Sequence, residues 1–202
     1  MIDLTAGAVA AAVGGRLIDL PENTVLTGPV IIDYRQTCPG ALFAALPGEN
    51  VDGHDFAAAA HAGGATAVLV SRDVPAGVPA IRVPDVRRAL GDLAGHVLTA
   101  LRDSSQPPLV VAVTGSSGKT TTKDLLAQVF AAAGATVASA ASFNNEIGLP
   151  LTVLQADWQT RYLVLEMGAS GVGEIAYLTS VAPPDIAVVL GVGSAHLGEF
   201  GS

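Results

Sequence analysis

Leu109-Val110-Val111-Ala112-Val113-Thr114-Gly115-Ser116-Ser117-Gly118-Lys119-Thr120-Thr121 decides the fold. The uninterrupted apolar run from Leu109 to Val113 suits a strand buried on both faces, as in a parallel sheet covered by helices. A helix is predicted from Gly118 to Ala133, so the glycines at 115 and 118 lie in a strand-to-helix turn. Such a turn is a phosphate-binding loop: its glycines let successive backbone N–H groups face phosphate oxygens, and the helix N-terminus adds its dipole. Lys119 is spaced to reach β- and γ-phosphates, and the Thr120 hydroxyl to bind Mg²⁺. Gly115, Ser116, Ser117, Gly118, Lys119, Thr120 and Thr121 are therefore the candidate nucleotide-binding residues. The pattern departs from G-x-x-x-x-G-K-[ST] at its first position, where Val113 stands. A glycine-rich turn with a chance lysine is the competing explanation.

Downstream, strands are predicted at Thr136 to Ser139, Tyr162 to Glu166 and Ile186 to Leu190, with a helix from Gly173 to Ser180. This βαβ rhythm predicts a mostly parallel sheet, whose ligands gather at the carboxyl ends of the strands. Glu166 closes the apolar strand Leu163-Val164-Leu165 at that edge, where it holds Mg²⁺ directly or through water, unless it is merely a strand-end acid in solvent. His196, in the loop after the last strand, is either a metal or nucleotide contact or polar surface. Ser142 to Pro150 carries the adjacent amides Asn144 and Asn145, which either build turns or serve a polar ligand.

Upstream, a short helix is predicted at Thr5 to Val13, capped by Thr5 and stopped by Gly14-Gly15. Strands follow at Val30 to Asp33 and Ala41 to Leu46, then a helix from His54 to Ala62 and strands at Ala67 to Val70 and Ala80 to Val83. Asp85 caps a longer helix running to Arg102. Arg35 has an anionic ligand or a carboxylate as its partner. His54, His61 and His96 sit in or beside Ala-rich helices and read as solvated or boundary positions. The polar, proline-bearing stretch from Asp103 to Pro108 is the best linker, dividing an α/β domain over 1–104 from a second over 105–202.

The chain has 202 residues, 50% of them hydrophobic and 14% charged, which excludes intrinsic disorder. No apolar run approaches the roughly 18 residues of a membrane span. Met1 to Gly15 lacks the basic start of a secretory signal, so a cytoplasmic protein is expected. A net charge of −8 argues against a broad grip on nucleic acid, so any phosphate site is local. Only Lys119 and Lys123 are lysines, and Lys123, one helical turn on, points elsewhere. Cys38 is the single cysteine and reads as a free structural thiol.

The T-G-S-S-G-K-T-T loop resembles that of the Mur ligases, ATP-dependent amide-forming enzymes of peptidoglycan synthesis, with Ala112 where many members carry the earlier glycine. Four further stretches are similar to the branch that adds D-alanyl-D-alanine to UDP-N-acetylmuramoyl-tripeptide. They are Asp33 to Arg35 with Pro39 to Phe43, Asp52 to Phe56, Phe143 to Pro150, and Gly191 to Ser202. The resemblance implies a UDP-muramoyl-peptide-binding domain, then a phosphate-loop ATPase domain using ATP and Mg²⁺. It implies that the tripeptide carboxylate is phosphorylated and that the acyl phosphate is attacked by the amine of D-alanyl-D-alanine. By position it makes Lys119, Glu166 and His196 catalytic and Thr120, Glu166 and His196 metal-binding. It assigns Arg35, Asp52, Gly53, His54, Asn144 and Asn145 to the substrate. Tyr34 replaces the serine of the family's D-S-R motif. Family members continue with a metal-site lysine and a C-terminal domain, so the chain reads as the first portion of such a ligase, inactive alone. A folate-type amide ligase and a non-catalytic nucleotide- or UDP-sugar-binding module are the alternatives.

Overall fold

The computed structural model describes residues 1–48, 51–191 and 193. The chain divides into two units, Met1–Leu93 and Ala94–Ser202. In the first, β1 (Leu4–Thr5) leads into α1 (Ala6–Ala12), which Thr5 caps by accepting the Ala8 N–H at 3.1 Å. There follow β2 (Arg16–Ile18), β3 (Val25–Leu26), β4 (Val30–Ile31), β5 (Leu42–Ala44), α2 (Ala57–Ala62), β6 (Ala67–Val70) and β7 (Ala80–Arg82). The strands order as β2-β7-β6-β5-β4, parallel except for β2, while β1 pairs with β3. Every residue of β6 is buried, as its unbroken apolar run requires of a central parallel strand. Phe43, Val68 and Val70 pack there against Ala57 and Ala60, whose small side chains let α2 lie close to the sheet.

α3 (Val86–Arg102) starts where Asp85 accepts the N–H groups of Arg87 and Arg88, and it carries the chain from one unit into the other. The second unit runs β8 (Leu109–Thr114), α4 (Lys119–Ala131), β9 (Thr136–Ala138), α5 (Gly148–Val153), β10 (Tyr162–Glu166), α6 (Glu174–Val181) and β11 (Ile186–Val189). Its strands are all parallel, in the order β11-β8-β10-β9. The buried β8 and β10 lie side by side at the centre, so the loops leaving them share one edge. Among the described residues no helix is long and apolar enough to cross a membrane.

Two sequence expectations need correction. His54 is buried, not solvated. It lies in a short 3₁₀ turn, Gly53–Phe56, that precedes α2. Its Nε2 accepts the Ser71 N–H at 2.8 Å, so Nδ1 carries the proton and donates to Asp52 Oδ1 at 2.6 Å. The local alanine pattern could not reveal a partner so far along the chain. His54→Ala should therefore destabilise the fold by about 2–4 kcal/mol, because it opens a cavity and orphans a buried N–H. Urea denaturation measures this, and a loss below about 0.5 kcal/mol would mean that neither bond matters in solution.

The second correction is α5, a helix that takes in Gly148 to Pro150 at the end of a stretch in which the sequence suggests only turns. Asn145 Oδ1 accepts the N–H groups of Ile147 and Gly148 and so starts the helix. Pro150 sits in its first turn, where a missing N–H costs no helical bond. Gly148 is required by packing, since a Cβ there would lie 2.6 Å from Phe143 Cα.

Candidate phosphate and metal site

β8 ends at Thr114 and α4 begins at Lys119, leaving 115–118 as the turn. Gly115 has φ 143° and Gly118 φ 81°, conformations that side-chain-bearing residues rarely adopt. A Cβ on Gly115 would also meet Leu190 Cβ at 2.7 Å. The loop is tied down by Ser116, whose N–H donates to Gly191 O at 3.0 Å and whose Oγ accepts the Gly193 N–H at 2.8 Å. The first N–H groups of α4 have no intrahelical acceptor, and no side chain caps them. With the helix dipole behind them they are suited to an anion. Lys119 Nζ donates to the Gly115 carbonyl at 2.7 Å, closing its half-buried side chain over the loop.

A cleft of about 440 Å³ adjoins the loop, lined by Lys119, Asn144, Asn145, Glu146, Gly168 and Glu174 among others. Parallel pairing sets Glu166 beside Val113, next to the strand end that feeds the loop. Glu166 is 1% exposed. Its Oε1 accepts from Asn144 Nδ2 at 2.8 Å, its N–H donates to Ser139 Oγ at 3.2 Å, and its buried Oε2 has no partner among the described residues. A buried carboxylate oxygen without a donor is costly unless a cation meets it.

This donor set fits Mg²⁺, a hard cation that takes one or two carboxylates and completes its shell with water and phosphate oxygens. Among the described residues no group of three or more His, Cys, Asp and Glu side chains could hold a metal without such help. Thr120 is half-buried in the first turn of α4, and Thr121 is exposed beside it. His196 lies outside the described residues.

Asn144 is engaged with Glu166, and its carbonyl accepts the Gly168 N–H at 2.9 Å. A Cβ on Gly168 would approach Asn144 Cγ and Nδ2 to 2.9 Å. Gly168→Ala should therefore push the amide off Glu166 and weaken Mg²⁺-dependent nucleotide binding by about tenfold. Calorimetric titration with MgADP checks this, and unchanged affinity would show that the amide does not hold the carboxylate in place.

In the first unit a second concavity, also about 440 Å³, is lined by Ile32, Tyr34, Arg35, Phe43, Gly53 and Phe56 among others. Arg35 has the carboxylate partner: Nε and Nη2 donate to Asp33 at 2.7–3.1 Å, and the side chain stays 76% exposed. These bonds hold the Asp33 carboxyl below the usual carboxylate range. Tyr34 stacks on Phe56 with ring centroids 4.5 Å apart, so its ring is fixed by packing. Asp52 accepts the His54 N–H, and Gly53 lies against the Leu46 backbone, where a Cβ would come within 2.7 Å of the carbonyl oxygen. Asp52 is likewise held below the carboxylate range, by the backbone N–H and then the ring of His54.

Sequence reasoning missed Glu146 and Glu174 on the cleft and the burial of Lys123. Glu146 was within reach as the third residue of Asn144-Asn145-Glu146. Nothing local marks Glu174, which meets the cleft from the start of α6.

A phosphate-binding turn between a buried parallel strand and a helix, with a buried carboxylate ending the next strand, defines a phosphate-loop α/β protein. Residues 113–202 match the Mur ligase middle domain, and residues 30–97 match the family model described as "Mur ligase family, catalytic domain". The chain belongs to the Mur ligase family. It is 49% identical to the UDP-N-acetylmuramoyl-tripeptide--D-alanyl-D-alanine ligase of Mycobacterium leprae, aligned over all of this chain and 44% of the relative. A crystal structure of MurF from Acinetobacter baumannii superposes with a TM-score of 0.88 at 35% identity, over 99% of this chain and 43% of that one. MurF ligase from Thermotoga maritima, solved in complex with ADP, gives 0.75 at 38% identity over 85% of this chain and 39% of that one. The chain thus spans under half the length of these relatives.

Proposed function

We propose that the whole protein is an ATP-dependent amide ligase of peptidoglycan precursor synthesis, acting in the cytoplasm. It joins D-alanyl-D-alanine to UDP-N-acetylmuramoyl-tripeptide through an acyl phosphate. The observation that carries this reading is the shared cleft: Lys119 from the phosphate loop faces the segment whose Asn144 grips Glu166. The names of the relatives, and the ADP in the Thermotoga maritima structure, support the substrate and the nucleotide.

In this reading residues 105–202 contribute the nucleotide half. The N–H groups at the start of α4 orient the phosphates, and Lys119 leaves Gly115 O to neutralise charge on the transferring group. Thr120 and Glu166 hold Mg²⁺, with His196 as a further ligand. When bound, the metal screens phosphate charge so that an anionic carboxylate can approach. Asn144 holds the Glu166 carboxylate, leaving Oε2 for the metal, while Asn145 shapes the cleft wall by starting α5. Residues 1–104 bind the UDP-muramoyl peptide, with Arg35 at the rim of the second concavity. Gly53 lines that concavity, and Asp52 and His54 flank it in the chain.

The test is phosphate release by the complete protein with ATP, Mg²⁺, UDP-N-acetylmuramoyl-tripeptide and D-alanyl-D-alanine. Release only when all are present is the expected result. Ligand binding without turnover would leave a non-catalytic binding module, and turnover with a folate and glutamate would reassign the substrate.

A further inference from the structure

Lys123 is one of two lysines in the chain, and its side chain is only 2% exposed. A buried ammonium is costly unless oriented acceptors replace its water. Here Nζ donates to the Ser139 carbonyl at 2.7 Å and to Asp124 Oδ1 at 2.5 Å. Asp124 is half in solvent and on the same helix, so the contact that joins separate elements is the one to Ser139.

Ser139 directly follows β9, and it is bonded to β10 at two points. Its N–H donates to Val164 O at 3.1 Å, and its Oγ accepts the N–H of Glu166 at 3.2 Å. A continuous path therefore runs from the Lys123 ammonium through Ser139 to the backbone of Glu166. The aromatic contact of α4 with this sheet lies remote from the loop, where Phe130 packs on Tyr162 with centroids 4.7 Å apart. Lys123 stands three residues after Thr120 and four after Lys119, on the same side of the helix. Its anchor sets the roll of the first turn of α4 about the helix axis.

Resting on the reading of Thr120 and Glu166 as a shared metal site, we infer that Lys123 is a positioning residue. It fixes the register between the helix turn that carries Thr120 and the strand end that carries Glu166. The consequence is selective. In that reading the phosphates of metal-free nucleotide rest on the continuous segment 115–121, so their binding depends little on the register of α4 against β10. Metal-bound nucleotide draws on both elements and feels the register directly.

The experiment is calorimetric titration of the intact protein with ADP, in EDTA and in Mg²⁺. Lys123→Met keeps the length and apolar stem of the side chain while removing the ammonium. Folded Lys123→Met should bind ADP within about twofold of wild type in EDTA, yet lose at least about tenfold of the affinity gained with Mg²⁺. A folded variant that keeps the full Mg²⁺ gain, or that weakens equally in both buffers, overturns the inference. Ser139→Ala provides the second arm should Lys123→Met not fold, since it cuts the path at the Glu166 N–H and leaves the lysine paired. It should lose about threefold of the Mg²⁺ gain, and an unchanged gain overturns the inference. Wild-type protein that binds no ADP in either buffer overturns the phosphate-loop reading itself, and this inference with it.

Discussion

Lys119→Ala should abolish ATP-dependent ligation by the complete protein, lowering turnover by at least about 10³-fold, while the melting temperature stays near that of wild type. The side chain is half-buried, and the bond recorded for its Nζ is to the Gly115 carbonyl, so the fold loses little when it is cut back. The reaction loses far more. The only other lysine is buried against Ser139 and cannot replace the missing charge. Turnover rates of folded wild type and variant decide the matter, and near-normal turnover by Lys119→Ala would remove the phosphate loop from the mechanism.

Glu166→Gln should separate stability from activity. The Oε2 atom is buried with no partner among the described residues, a costly place for carboxylate charge unless a cation meets it. A neutral amide of nearly the same shape keeps an acceptor for Asn144 Nδ2 and removes that charge. Stability should stay within about 1 kcal/mol of wild type, because relief of the buried charge is set against an amide NH2 that replaces Oε2 where no partner is described. Ligation should fall by about 10²–10³-fold, because a carboxamide is a poor ligand for a hard divalent cation. Chemical denaturation and phosphate release measure the two effects on the same preparation. A folded variant that retains its Mg²⁺-dependent turnover would show that Oε2 does not await a cation.

The two acidic turns of the first unit give a weaker signature in pH. Asp33 and Asp52 both have lowered pKa values, so whatever stability they contribute is fully present above the ordinary carboxylate range and is lost below it, as pH falls through the lowered values. Their exposure to solvent keeps that contribution small.

What was legible in the sequence was whatever depended on short-range pattern. The buried run Leu109 to Val113 and the glycines at 115 and 118 specify strand, turn and helix within a few residues, and the structure has all three. Thr5 and Asp85 were readable as caps for the same reason. Glu166 was legible as a strand-end acid at the ligand edge of the sheet, though not as a residue with one satisfied and one orphaned oxygen. That distinction depends on Asn144, which reaches it from the segment between β9 and α5. His54 and Lys123 were missed as buried groups because their partners, Ser71 and Ser139, lie far along the chain, just past the ends of β6 and β9. α5 escaped because Asn145 and Pro150 suit a loop as well as a helix start, and the burial that favours the helix is set by tertiary packing.

A crystal structure of the complete protein with ADP and Mg²⁺ tests the central claim most directly. The account predicts phosphate density against the backbone N–H groups at the start of α4, Lys119 Nζ moved from Gly115 O to the phosphates, and metal within one water of both Thr120 and Glu166 Oε2. Metal more than one water shell from Glu166, or nucleotide bound elsewhere with Lys119 still on Gly115, would contradict it.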